Sequence, residues 1–371
     1  MIYFDHNATT RIDERVVAVM QPFLQDWYGN PSALYRLGRT ARSAIETARA
    51  QVAALVGVNA NQVYFTSGGT EANNLALHQV AAGRKIVVSA LEHPSVMVPA
   101  SLKQANGNSF HVLGVDAQGC IDVAVARAIA WQSGDFLSVQ LANNETGVLQ
   151  DVAQLADYVR SQGAIVHTDA VQAAGKIALD LQQTCAQLLS ISSHKIYGPK
   201  GCGALITEQG VRIHPLICGG GQEDDVRSGT ENVPAIVGFG KAAELAKAEL
   251  DSRRQQLMHL RSYLEQGLQS IHGCVIFSAA VARLPNTVQF GLPEVDGEML
   301  LMQLDRKNIA VSSGSACSSG ASKPSEVLTA MGVPAALAKS AIRVSLGYQN
   351  TCAEIDTFLH LLKSLSSTSP I

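Results

Sequence analysis

Residues 164–195 read AIVHTDAVQAAGKIALDLQQTCAQLLSISSHK. Two short apolar runs within it, 164–168 and 188–192, look like strands. Each is followed by a group that costs energy to bury: Asp169 just past the first, Lys195 past the second. Outward from this stretch the same kind of run recurs at 62–66 (QVYFT), 85–89 (KIVVS) and 136–141 (FLSVQL). Helix-period stretches lie between them, as in 39–56, where Ile45, Ala48, Val52 and Leu55 share one face. Continuous apolar strands alternating with helices predict an α/β fold with a mostly parallel sheet covered on both faces. In such sheets ligands bind beyond the carboxyl ends of the strands, where Asp169 and Lys195 fall.

Toward the C-terminus, 234–269 carries one long helical pattern with no obvious break after Gly240, suited to bridging two lobes. Strand candidates follow at 275–278, 287–291, 310–312 and 342–346, with helical stretches from Asp296, Pro324 and Ala353. This part reads as a smaller α+β unit. The Ser-rich end, 364–371, reads as a frayed tail.

The length of 371 residues favours two domains. Hydrophobic residues make up 47 % and charged residues 16 %, which excludes a disordered chain. A net charge of −3 argues against a general nucleic-acid-binding surface, and the sparse charge fits a face covered by a second subunit. Seven cysteines, none in a C-x-x-C, suggest neither a disulfide framework nor a zinc site. The start, MIYFDHNATT, does not resemble a secretory signal, and no apolar run is long enough for a membrane helix. A reducing cytoplasm is expected.

Three segments carry the chemistry. In 64–74 (YFTSGGTEANN) a strand runs through glycines into a helix starting near Glu71. That arrangement suits a phosphate, although an ordinary turn with Thr70 as N-cap is the commoner reading of such a short stretch. Asp169 is either a functional carboxylate or a helix cap. Lys195, in 190–203 (SISSHKIYGPKGCG), is either a solvated lysine or, shielded near other cations, an imine-forming nucleophile. A second Gly-rich loop, 218–230 (CGGGQEDDVRSGT), also suits an anion. An imine-forming lysine, a carboxylate for a pyridinium nitrogen and a hydroxyl-rich helix start together meet the needs of pyridoxal phosphate. A fourth segment, 311–320 (VSSGSACSSG), places Cys317 among small residues that cannot pack a core. It is expected to be a mobile, solvent-facing loop with an accessible thiol, the other six cysteines being mostly packed and inert.

Ten motifs stand in one order: MIYFDHNATT, GNPSALYRLGR, FTSGGTEANN, LEHPSV, NNETGV, HTDAVQ, SSHKIYGPKG, RSGTENVP, SSGSACSSG and AIRVSLG. The chain thereby resembles the cysteine desulfurases of the class-V aminotransferase type over nearly its whole length. The resemblance implies a pyridoxal-phosphate-dependent transferase of fold type I. Residues 13–249 would form a large cofactor domain, and 1–12 with 250–371 a small α+β domain carrying the Cys317 loop. It also implies a homodimer.

By matching position, Lys195 would be the Schiff-base lysine, Asp169 the partner of the pyridine nitrogen and Gln172 the partner of the ring hydroxyl. His93 would stack on the ring and assist proton transfer. Thr70, Ser192 and His194 would hold the phosphate, with Thr230 reaching it from the other subunit. Asn144 and Arg343 would bind the substrate carboxylate, with Asn30 nearby. Cys317 would take sulfur from L-cysteine as a persulfide, leaving L-alanine, and pass it to an acceptor protein. The acceptors implied are an iron–sulfur scaffold, a tRNA-thiolation protein or a DNA-phosphorothioation protein, with no direct nucleic-acid or membrane contact. A selenocysteine lyase, or another enzyme on the same fold, is the alternative. Tyr35 stands where the family usually has His, which reads as tuning of the site rim.

Overall fold

The computed structural model describes residues 1–293, 295–313 and 324–366. Strand β1 (Ile2–Tyr3) opens the chain. Seven strands then build the main sheet: β2 (Val63–Thr66), β3 (Lys85–Ser89), β4 (Ser109–Leu113), β5 (Phe136–Ser138), β6 (Ile165–Asp169), β7 (Leu188–Ser192) and β8 (Gly203–Thr207). Their spatial order is β2-β8-β7-β6-β5-β3-β4. The run from β7 to β4 is parallel, while β8 lies antiparallel to both β7 and β2. The sheet is thus mostly parallel, as expected, and its central strands are buried on both faces.

Several boundaries differ from the sequence reading. Gln62 belongs to a 3-10 turn before β2, where its side chain closes a capping box with Asn59. The third run is strand only to Ser138; beyond it the Val139 and Leu141 amides still donate to β6 carbonyls, while the Gln140 amide donates to the Glu92 carboxylate. Asp169 is the last residue of β6, in register with Ser190 of β7, and not a residue past the strand. The strands β4 and β8 were not foreseen. Strand β4 is an edge strand with a largely exposed face, so it lacks a continuous apolar run.

The long 234–269 pattern is two helices, Val233–Ala248 and Leu250–Gln269. They break at Glu249, whose carboxylate receives both Arg15 and Arg253. The first helix packs Ile236, Phe239, Ala242 and Ala243 into the apolar core beside the main sheet, with Ile45, Ala48 and Val52 of the helix Arg36–Leu55. The second buries Leu257, Leu260, Leu264 and Leu268 in another core that holds Phe4 and Phe358.

That second core lies against an antiparallel sheet of β9 (Val275–Ile276), β10 (Thr287–Gly291), β12 (Ser312–Ser313) and β13 (Ile342–Ser345), ordered β12-β13-β10-β9. Strand β1 pairs in parallel with β11 (Ile309–Ala310). The C-terminal helix Cys352–Ser366 covers this core and extends beyond the expected start of the frayed tail at residue 364.

Residues 4–10 bridge the two cores. Phe4 is fully buried in the second, and its carbonyl accepts the Ser345 amide of β13 at 2.7 Å. Six residues on, the Thr10 amide donates to the His194 carbonyl at 3.0 Å, beside the carboxyl end of β7.

Candidate active site

The carboxyl ends of β2, β6 and β7 meet at a cavity of about 200 Å³. Thr70, His93, Asn144, Asp169, Gln172, Ser192, His194 and Lys195 all line it, so eight residues singled out in the sequence converge. Asn73, Ser95 and Gln140 line it too and were not foreseen.

After β2 the chain turns at Gly68 into the helix Gly69–His78. Gly68 is the N-cap and provides no side chain, so Thr70 lies in the first turn and is not the cap. The glycines are required by space. A Cβ on Gly69 would lie 2.8 Å from the Val171 side chain, and one on Gly203 would lie 2.6 Å from the Gly68 carbonyl carbon. Uncapped helical N–H groups at the cavity edge favour an anion.

Asp169 is 3 % exposed and takes part in no ion pair among the described residues. One of its oxygens accepts the Val171 amide at 2.9 Å, and the other accepts Asn73 Nδ2 at 2.7 Å. The same Asn73 Nδ2 donates to Ser95 Oγ at 2.9 Å. Ser95 in turn fixes His93: its amide donates to His93 Nδ1 at 3.1 Å, so the neutral ring carries its proton on Nε2. Burial lowers the His93 pKa, Lys195 lowers it further, and Asp169 opposes both.

Lys195 ends a single 3-10 turn directly after β7. Its Nζ donates to the Asn7 and Ala8 carbonyls of the N-terminal strap. Burial, aided by Arg343 and opposed by Asp169 and Asp5, brings its pKa down to about 8. His194 is lowered to about 4, first by burial and then by Lys195, Lys200 and Lys176. Ser192 Oγ is buried with no hydrogen-bond partner. Gln172 donates from Nε2 to the Asn7 carbonyl at 2.9 Å.

Three of the expected residues lie off this cavity. Arg343, on β13, is tied at 2.7 Å to Asp5 and donates at 3.0 Å to the carbonyl of Asn144. Thr230 lines another cavity of about 190 Å³, with Ser67, Cys202 and Arg227. Asn30 is exposed, and its side chain accepts the Ser32 amide. Tyr35 is 57 % exposed and does not line the cavity. Cys317 lies outside the described residues. Of the other cysteines, Cys202 is buried, its pKa raised by burial, and burial pushes Cys274 up to about 11. Cys218 departs from the expected packing: it is exposed.

The residues present fit pyridoxal phosphate. A buried carboxylate without a cation faces a cavity that also holds a lysine of lowered pKa. An unpartnered buried hydroxyl and a glycine-built helix start lie at the same cavity.

A family model for class-V aminotransferases matches residues 2–358. A cysteine desulfurase of Gluconacetobacter diazotrophicus is 42 % identical, covering 98 % of this chain and 93 % of that one. The solved structure of a NifS-like protein from Rickettsia africae superposes with a TM-score of 0.91 at 37 % identity, covering 99 % of this chain and 100 % of that one. A structure described as SspA in complex with cysteine matches at 29 % identity with a TM-score of 0.82, covering 95 % and 100 %. Sheet and cavity therefore define a pyridoxal-phosphate enzyme of fold type I. The chain belongs to the class-V aminotransferase family and, within it, to the cysteine desulfurases.

Proposed function

We propose that this protein removes sulfur from L-cysteine, releases L-alanine and carries the sulfur as a persulfide on Cys317. The observation that carries this reading is the convergence of Lys195, Asp169 and His93 on one cavity. Bound pyridoxal phosphate supplies an electron sink for the negative charge left when the substrate loses its α-proton. The protein's own groups do the rest.

The pKa of Lys195, lowered to about 8, leaves more free amine near neutral pH than an ordinary lysine has, and the free amine is the form that attacks a carbonyl carbon. Asp169, held by Asn73 and the Val171 amide, keeps a proton on the ring nitrogen. His93, its Nδ1 fixed by Ser95, is the neighbouring proton carrier. Thr70, Ser192, His194 and the helix start hold the phosphate, and Gln172 the ring hydroxyl. Asn144 and Arg343 hold the substrate carboxylate. That role requires Arg343 to exchange its Asp5 contact or to share it, because Asp5 already occupies one Nη.

In the same reading 13–249 forms the cofactor domain, while 1–12 and 250–371 form the small domain. The two separate cores, one beside the main sheet and one around Phe4 and Phe358, support that division. Thr230, which lies off the cavity of its own chain, serves the phosphate of a second copy, so the active unit is a homodimer. The acceptor is a protein thiol in an iron–sulfur, tRNA-thiolation or DNA-phosphorothioation pathway of the cytoplasm.

The test is to incubate the cofactor-loaded protein with L-cysteine, measure alanine and locate the added sulfur by peptide mass. Alanine with sulfur on Cys317, and neither product in excess of background with Cys317→Ala, is expected. Alanine release by Cys317→Ala at the wild-type rate would exclude the thiol role.

A further inference from the structure

Lys176 lies four residues beyond Gln172 and is buried, yet it makes no ion pair among the described residues. Its Nζ has two hydrogen-bond acceptors, both side-chain amide oxygens: Gln172 Oε1 at 2.7 Å and Asn7 Oδ1 at 3.0 Å. Two donors and two acceptors match a neutral amine, whereas an ammonium would have a third donor.

Burial lowers its pKa well below that of an ordinary lysine, and Lys195 and Arg343 push the same way. His6 and His194 face it, and Arg253 lines the small cavity it shares with His6 and Lys195. Asp5 is taken up by Arg343, and Asp169 acts on Lys195, so neither carboxylate neutralises Lys176.

The contact with Gln172 has a consequence for the site. A side-chain amide in a cavity can turn either its oxygen or its nitrogen to a ligand. Here Oε1 is consumed by Lys176, and one Nε2 hydrogen goes to the Asn7 carbonyl. Asn7 is itself held from four sides. Its amide donates to Ser345 Oγ, its Nδ2 donates to Thr287 Oγ1 and the Asn144 carbonyl, and its Oδ1 also accepts Asn286 Nδ2.

We infer that Lys176 is a positioning residue that locks the Gln172 amide, so that the cavity is offered an N–H donor and not a carbonyl oxygen. The inference rests on the cofactor reading above. A donor there stabilises negative charge on the cofactor's ring oxygen and so lowers the pH at which the bound cofactor's visible band changes form.

The test is a pH titration of that band in the cofactor-loaded protein. Wild type, Lys176→Met, Gln172→Leu and the double variant are compared. Lys176→Met is expected to move the transition up by about one pH unit. Gln172→Leu should give a similar shift, and the double variant no more than either alone, because both act through one hydrogen bond. If Lys176→Met does not fold, Lys176→Leu, which also lacks a donor for Gln172 Oε1, enters the same cycle with the same expectation. An unmoved transition, or shifts that add in the double variant, would overturn the role of Lys176. A wild-type protein that develops no visible band would instead overturn the cofactor reading.

Discussion

Asn73 shows how one buried side chain organises the chemistry. It is 1 % exposed, and a single Nδ2 group serves both Asp169 and Ser95, which in turn sets the His93 tautomer. A hydrogen bond to a charged group contributes about 1.5–3 kcal/mol. Asn73→Ala should therefore weaken cofactor binding about ten- to hundredfold, read as a dissociation constant from spectral titration, with the folded yield retained. Unchanged affinity would mean that Asp169 does not need this donor. Lys195 yields a second prediction. Its depressed pKa makes cofactor loading of the apoprotein rise with pH with a midpoint near pH 8, as the neutral amine fills; an ordinary lysine would have its midpoint near pH 10.5. Stopped-flow absorbance across pH 6–10 distinguishes the two. Asp169 and Lys195 stood out in the sequence because a charged group beside a strand or glycine turn breaks an apolar pattern, whereas His93 was reached only through the family resemblance. Asn73, Asn7 and Lys176 did not stand out, because their partners lie far away in the chain: Asn73 to Asp169 spans 96 positions and Asn7 to Lys176 spans 169.

At the scale of elements, the parallel strands were legible where both faces are buried and illegible at the edge, where β4 exposes one side. The helix break at Glu249 was hidden as well, since no proline or glycine marks it; in the structure Arg15 and Arg253 both reach the carboxylate there. Within the sheet, His167 spans three strands. Its Nδ1 meets Ser138 Oγ on β5 at 2.9 Å and its Nε2 meets Ser190 Oγ on β7 at 2.9 Å. It is fully buried, and burial lowers its pKa to about 3. The folded state therefore holds His167 neutral, while the unfolded chain binds a proton below about pH 6.5. Below that pH the unfolded state binds more protons, so stability falls as pH falls from 6.5 toward 3, and is unaffected above 6.5. His167→Leu should be destabilised at pH 7 by about 2–4 kcal/mol, because two serine hydroxyls lose their partner. Its stability should nevertheless decline less steeply between pH 6 and 4. Parallel wild-type and variant curves in urea titrations over that range would exclude His167 as the source.

At the scale of the whole molecule, the N-terminal strap joins parts that the sequence reading kept apart. Phe4 anchors it in the second core, edge-on to Phe358 at 5.9 Å. Asn7 and Ala8 accept Lys195, and Thr10 donates to His194. The Asn7 amide, in turn, is bonded to Ser345 on β13. Ligand binding at the cavity thus acts on a segment that is also part of the second core. At a cofactor concentration 100 times the dissociation constant, binding stabilises the native state by about 2.7 kcal/mol. If the strap makes opening of the two cores cooperative, that stabilisation reaches amides remote from the cavity. Hydrogen exchange of the apoprotein and the cofactor-loaded protein is the measurement. Amides of Asn7, Thr10 and Ser345 should exchange up to about a hundredfold more slowly with cofactor bound. Phe4→Ala, which opens a cavity costing about 3–5 kcal/mol, should reduce the effect at Ser345 while leaving it at residues lining the cavity. Protection confined to the cavity in the wild type would show that the strap is a passive connection.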